Sequence, residues 1–143
     1  MPCRVLIDDN VNCVFIQHYE SFTSGEGIQV LQRVLKDPAH KKDMNVLHDV
    51  TQLSLPDEYD LQWFRENVRK ESTETMDINL GRGRKAAWIL SNPRDFKVIH
   101  QWSVVDRLNT SVVERRPFRD IEKAKEWLEI PTGYVIDYAD QPI

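Results

Sequence analysis

The stretch NVLHDVTQLSLPDEYDLQWF, residues 45–64, decides how the rest of the chain is read. It opens on a short apolar run that stops at Asp49. A polar loop carrying Thr51 and Ser54 follows, then Pro56 and the acids Asp57 and Glu58. Proline suits the first position of a helix, where its missing N–H would have no partner in any case. Acids just behind it complement the positive end of the helix dipole. The expectation is a buried strand, a polar corner and a helix that starts at Pro56, with Leu61, Phe64 and Val68 as its core face. Ligands of α/β proteins bind at corners of this kind, beyond the carboxyl ends of the strands.

Outward from this stretch the same alternation recurs. Residues 4–8 and 11–19 are rich in Val, Ile, Leu and Phe, and Asp9 and Asn10 between them suit a hairpin turn. Thr23 and Glu26, three apart, form a capping-box pattern ahead of Ile28, Leu31, Val34 and Leu35 at helical spacing. Pro38 ends that helix near Lys36 or Asp37. Residues 71–84 read as a polar loop. KAAWILS, residues 85–91, is a continuous apolar run, as expected for a strand covered on both faces. Phe96, Ile99, Trp102, Val105 and Leu108 recur every three residues and predict a helix to about Asn109. SVVERRPF, residues 111–118, reads as a last strand, with Pro117 favouring an edge position or the strand end. Asp120 caps a helix bearing Ile121, Ala124, Trp127 and Leu128.

The order ββαβαβαβα predicts a single α/β domain over residues 1–129, with a mixed, mainly parallel sheet and right-handed crossovers. Residues 130–143 fall outside the pattern. YVIDY, residues 134–138, is open to two readings: an additional strand, or part of a tail lying on the surface.

The totals bound the function. A chain of 143 residues, 41% hydrophobic and 29% charged, suits one ordinary domain with its own core. A net charge of −4 gives no general attraction to nucleic acid or to anionic membranes. In the expected hairpin Cys3 faces a residue near Ile16 and Cys13 one near Leu6, too far apart to bridge. Two unpaired cysteines, no basic-then-apolar leader and no apolar run of membrane-spanning length make the expected location cytoplasmic.

No catalytic set is visible. His48 and Asp49 adjoin, but neighbours on a strand point to opposite faces. No nucleophile, base and orienting group can be named together. His18, His40, His48 and His100 show no metal-ligand spacing, so neither metal nor cofactor is expected. GRGRK, residues 81–85, precedes a strand, whereas phosphate loops follow one, so Arg82, Arg84 and Lys85 are expected in a solvated loop. Arg115, Arg116 and Arg119 are expected at the opposite end of the neighbouring strand. That separation leaves no continuous basic patch and no nucleic-acid partner. Tyr59 and Trp63, four apart, point to a second side of their helix, either an exposed contact patch or a second buried side. A gap between the second and third helices, lined by Trp63, Phe64, Ile99 and Trp102, would suit a small apolar ligand.

Three segments carry a family resemblance: FTSGEGIQVLQRVLKDPAHKKDMNVLHDVTQLSL (22–55), KAAWILSNPRDFKVIHQW (85–102) and FRDIEKAKEWL (118–128). They resemble the small bacterial STAS-like proteins, which are similar to the anti-sigma-factor antagonists of sporulation. The resemblance covers about residues 4–129. It implies a β-α superhelix with an antiparallel first hairpin, and a regulatory or protein-interaction module rather than an enzyme. The antagonists dock on a partner kinase and are switched by phosphorylation of a serine at the start of the second helix.

Laid on this chain, the antagonist pattern puts Asp49 at the strand-end aspartate, Asp57 just before the phosphoacceptor and Glu58 on the phosphoacceptor itself. Asp60 stands where the family has glycine. A glutamate can imitate part of a phosphate's charge but cannot be switched in the same way. Thr51 and Ser54 are therefore read as turn and cap hydroxyls, and Asp49 as an acceptor for loop N–H groups. The expected function is a non-enzymatic interaction module whose partner is another protein or a second copy. Its candidate site is Asp49, Thr51, Ser54, Asp57, Glu58, Tyr59, Trp63 and Trp102. The alternative is a binding protein for a small apolar or anionic ligand held between the second and third helices.

Overall fold

The computed structural model describes residues 3–19, 24–67, 80–81, 84–108 and 113–138. Strand β1 (Cys3–Asp8) runs antiparallel to β2 (Cys13–His18). Between them Asp9–Val11 make a 3-10 turn, opened by the Asp8 carboxylate accepting from the Asn10 N–H and closed by Asn12 in the left-handed region. Asparagine tolerates that conformation better than most residues. The turn sets the register. Cys3 lies opposite His18 and Cys13 opposite Asp8, two positions from the partners expected near Ile16 and Leu6. Neither cysteine is in a disulfide, both are buried, and burial pushes the Cys13 thiol well above its usual range.

Helix α1 (Ser24–Lys36), β3 (Asn45–Asp49), α2 (Leu61–Asn67), β4 (Lys85–Ile89), α3 (Pro93–Leu108), β5 (Glu114–Phe118) and α4 (Ile121–Trp127) follow. The strands lie in the order β1-β2-β3-β4-β5, and β2 to β5 are mutually parallel. The chain is thus a single α/β domain with a five-stranded mixed sheet and four helices among the described residues. The expected cap at Thr23, and residues 71–79, 82 and 83 of the expected loop, lie outside the described residues.

Strand alternation divides the core in two. On one face Val5, Val14, Ile16 and Val46 pack against Val30 and Val34 of α1, and Trp88 packs against Val98, Ile99 and Trp102 of α3. On the other face Cys13, Phe15, Leu47, Ala87, Ile89 and Phe118 meet Ala124 and Leu128 of α4. A helix is about 10 Å wide, and five strands span about 19 Å, so α4 alone covers only part of that face. Among the described residues, the segment after it covers more of that face. Ile130, Tyr134, Ile136 and Tyr138 pack on the sheet, and the Tyr134 ring stacks on Phe15 at 5.6 Å. The Tyr134 hydroxyl donates to Asp8 Oδ2 at 2.5 Å, and Lys125 Nζ donates to the Tyr134 carbonyl at 2.8 Å. Residues 130–138 form no strand.

Two expectations about basic residues are corrected. Arg84 is buried rather than solvated, and so is Arg115. Lys85 pairs with Glu114 and Ala86 with Arg115, which places Arg84 and Arg115 at the same end of adjacent strands. Arg115 is accommodated inside because its flat guanidinium stacks on the Trp102 ring, 4.7 Å from its centre. Arg116 and Arg119 stay exposed, lying over Phe118 and Phe96 respectively.

Candidate functional site

Strand β3 stops because Asp49 turns its carboxylate back on the chain. Asp49 Oδ1 accepts from the Thr51 N–H at 3.0 Å and from the Thr51 hydroxyl at 2.6 Å. This is side-chain capping of a turn, the role expected for Asp49. The Val50 N–H still bonds to the Ile89 carbonyl, so the chain leaves the sheet only at Thr51.

Helix α2 starts at Leu61, not at Pro56. Asp60 caps it, its Oδ1 accepting from the Trp63 N–H at 2.8 Å. The reason lies 35 residues on, in Arg94. Its guanidinium donates to the carbonyls of Leu55 (3.3 Å), Pro56 (3.2 Å), Asp57 (2.7 Å) and Tyr59 (3.1 Å). A helix from Pro56 capped by Leu55 would turn all four of these oxygens toward its own i+4 N–H groups. Bonded to Arg94 from one side, they hold residues 55–59 as an extended turn instead, closed by the Tyr59 N–H on the Pro56 carbonyl at 2.9 Å. Glu58 consequently sits ahead of the helix and not at its first turn.

Arg94 is itself held in place. Asn92 is the cap of α3: its Oδ1 accepts from the Asp95 N–H at 2.8 Å, and its Nδ2 donates to Asp95 Oδ2 at 2.8 Å and to Ser54 Oγ at 3.1 Å. The buried Asp95 carboxylate also accepts from the Leu55 N–H at 2.9 Å and pairs with Arg94 at 3.0 Å. Every polar atom of this acid that faces inward therefore meets a donor, which is what a buried carboxylate requires. The outer surface of the corner is different. Thr51, Ser54, Asp57, Glu58 and Asp60 are exposed, while Asp49 and Tyr59 are buried. The structure thus brings Asp49, Thr51, Ser54, Asp57, Glu58 and Tyr59 to one corner, with three solvent-facing carboxylates on a fixed backbone.

Tyr59 and Trp63 stack at 3.8 Å and join the core cluster of Leu55, Trp88, Val98, Ile99 and Trp102. The second side of α2 is therefore packed, not an exposed aromatic patch. Trp102 is buried edge-on to Trp88 at 6.1 Å, away from the corner's surface. The expected aromatic gap between the second and third helices is filled by these contacts. A groove of about 760 Å³ opens beside it, with Asp60, Gln62 and Glu66 on one wall and Arg94, Lys97 and Gln101 on the other.

Behind the corner lies a pair of residues that the sequence reading left apart. His18 Nε2 approaches His48 Nδ1 at 3.4 Å, and the His48 ring stacks on Trp88 at 4.1 Å. Desolvation lowers the His18 pKa to about 4, against a smaller opposing pull from Asp49. Desolvation, then His18, Arg84 and Arg115, hold His48 well below its ordinary range. Strand alternation was the available signal: His18 and His48 fall on one face once β2 and β3 are known to be parallel neighbours. Arg94 and Asp95 were missed too, although Asn92-Pro93-Arg94-Asp95 spells a helix start with a cap, a first-turn proline and an acid at the third helical position. Among the described residues no three His, Cys, Asp or Glu side chains gather as a metal site, and no helix is long and apolar enough to cross a membrane.

No protein-family model matches the chain, and no curated protein or solved structure matches it.

Proposed function

We propose that this protein is a non-enzymatic interaction module of STAS-like type that docks on a protein partner through the corner between β3 and α2. The observation that carries the reading is the Arg94 fork, which fixes the backbone of residues 55–59 while Asp57, Glu58 and Asp60 face solvent. A loop held in one conformation loses little entropy when a partner binds it. Fixed carboxylates select a partner surface rich in Arg and Lys and speed the encounter. The hydroxyls of Thr51 and Ser54 are engaged with Asp49 and Asn92. Glu58, which the resemblance aligns with the switchable residue of the antagonists, supplies a constant charge ahead of α2 instead of at its first turn. Docking in this reading is constitutive.

The experiment is affinity capture from cells of origin, comparing wild type with Asp57→Lys/Glu58→Lys. The expected result is one partner held by wild type and lost by the variant, with unchanged thermal stability because both side chains are exposed. Equal capture by both chains would remove the corner from the account.

The groove between α2 and α3 favours a second reading, a small anionic ligand held by Lys97 and Gln101. Thermal shift against anionic metabolites tests it, since a ligand at 100 times its Kd stabilises by about 2.7 kcal/mol. Lys97→Ala would abolish that shift and leave capture at the corner intact.

A further inference from the structure

We infer that the outer edge of β1 pairs antiparallel with β1 of a second copy of this chain, about a two-fold axis passing between the Leu6 residues of the two copies. The sheet ends at β1, and among the described residues no strand pairs with its outer side. An open edge is a template for another strand, and natural sheets blunt it with proline, lysine, bulges or outward charge. The opposite edge of this sheet is blunted in that way. Strand β5 carries Pro117, which has no N–H to donate, and exposes Glu114 and Arg116. Strand β1, with the sequence CRVLID, has no proline, lysine or glycine, and its register with β2 runs without a bulge from Cys3 to Asp8.

The sequence of β1 is complementary to itself. Antiparallel pairing centred on Leu6 sets Arg4 opposite the partner's Asp8, Leu6 opposite the partner's Leu6, and Val5 opposite the partner's Ile7. Arg4, Leu6 and Asp8 share one face of the sheet with Gln17, Phe15 and Cys13, and Val5 and Ile7 share the other. Each copy thus meets an opposite charge at two positions and an apolar side chain at three. Arg4, Leu6, Ile7 and Asp8 are half-buried, so each has surface left for a neighbour to cover. Arg4 spends one N–H group on Gln17 at 3.1 Å, which leaves its other donors available. Asp8 accepts from Asn10 and Tyr134, and its carboxylate oxygens have further lone pairs. A two-fold contact of this kind closes on itself and gives a dimer rather than a fibre. Centring the axis on Val5 instead sets Arg4 against Leu6, and centring it on Ile7 sets Asp8 against Leu6, so either register leaves the charges unmatched.

The test is sedimentation equilibrium of the full chain, with three arms. Wild type should show twice the mass of one chain in a concentration-dependent equilibrium. Arg4→Glu sets like charges opposite each other twice and should weaken the dimer on the order of tenfold. Asp8→Lys should do the same alone, and an equal mixture of the two variants should restore the dimer, because each mismatch is then answered across the axis. Circular dichroism checks that both variants fold. Where Asp8→Lys fails to fold through loss of its bonds to Asn10 and Tyr134, mixed-label NMR of wild type replaces it. Contacts between Leu6 methyls of different copies, and between Val5 and Ile7, are then expected. A wild-type monomer up to millimolar concentration, a dimer indifferent to Arg4→Glu, or intermolecular contacts located elsewhere would each overturn the proposal.

Discussion

Arg94 donates to the main-chain oxygen of Asp57 at 2.7 Å, the shortest of the four bonds by which one side chain sets the path of residues 55–59. A guanidinium can do this because its donors form a rigid planar fork. Its positive charge also answers the Asp95 carboxylate at 3.0 Å, so cap, clamp and loop form one unit.

Replacing Arg94 by Lys keeps the charge and removes the fork. The expected cost is about 1–2 kcal/mol, reduced from that of a buried network because the side chain is partly exposed. Urea unfolding measures the cost. Amide exchange at Tyr59, whose N–H closes the turn on Pro56, should quicken in parallel. Wild-type values for both would show that the clamp is dispensable.

His18 and His48 make the fold sensitive to mild acid. Both are neutral in the folded chain at pH 7, because burial holds their folded pKa values below the ordinary 6.5. The unfolded chain therefore binds protons first as the pH falls through 6.5. Their contribution is complete above pH 6.5 and is lost as the pH falls from there toward 4. For His18 alone the loss reaches about 2 kcal/mol by pH 5, and His48 acts in the same direction. The urea midpoint measured from pH 7 to pH 5 should fall, and His18→Phe should flatten the slope. A level wild-type profile would contradict the buried neutral pair.

Gly81 and Gly133 both have positive φ, at 113° and 87°, but only one is also confined. A Cβ on Gly81 would lie 2.4 Å from the Asp43 main-chain nitrogen, which itself donates to the Leu80 carbonyl. Around Gly133 there is nothing within 4 Å. Gly81→Ala should cost at least about 2 kcal/mol through strain and overlap together. Gly133→Ala should cost about 1 kcal/mol through backbone strain alone. Parallel thermal unfolding of the two variants checks the ranking, and equal costs would reject the close approach of residue 81 to Asp43.

The segment after α4 acts as a cover for the sheet. Tyr134→Phe removes the bond to Asp8 and should cost about 1–2 kcal/mol. Ending the chain at Glu129 removes Ile130, Tyr134, Ile136 and Tyr138 from above Phe15 and Leu47. That truncated chain should bind a hydrophobic dye and lose solubility, because burial of each large apolar side chain contributes about 1.5–3 kcal/mol. A truncated chain as stable as the whole would mean that the segment lies on the sheet without supporting it.

The elements of this fold are legible in the chain because each carries a local rhythm. Val46, Leu47 and His48 read as strand, and Phe96, Ile99 and Trp102 as helix, without knowledge of any neighbour. What was misread depends on residues distant in sequence. Pro56 looks like a helix start until the four bonds from Arg94 are seen to hold residues 55–59 in an extended turn. Arg84 looks solvated beside two glycines, and only the pairing of Ala86 with Arg115 shows that its strand end lies inside. The hairpin register slipped by two because Asp9–Val11 coil into a 3-10 turn, which turn composition does not distinguish from a tighter one. At the corner itself, the capping role of Asp49 and Thr51 was readable, since both ends of that contact lie two residues apart.

The most direct test of the proposed docking at this corner is native mass spectrometry of the chain purified from its own cells. The expected result is a non-covalent complex with one protein partner, in which this chain carries no phosphate, and its disappearance in Asp57→Lys/Glu58→Lys. Absence of any complex, or a complex in which Thr51 or Ser54 carries stoichiometric phosphate, would contradict it.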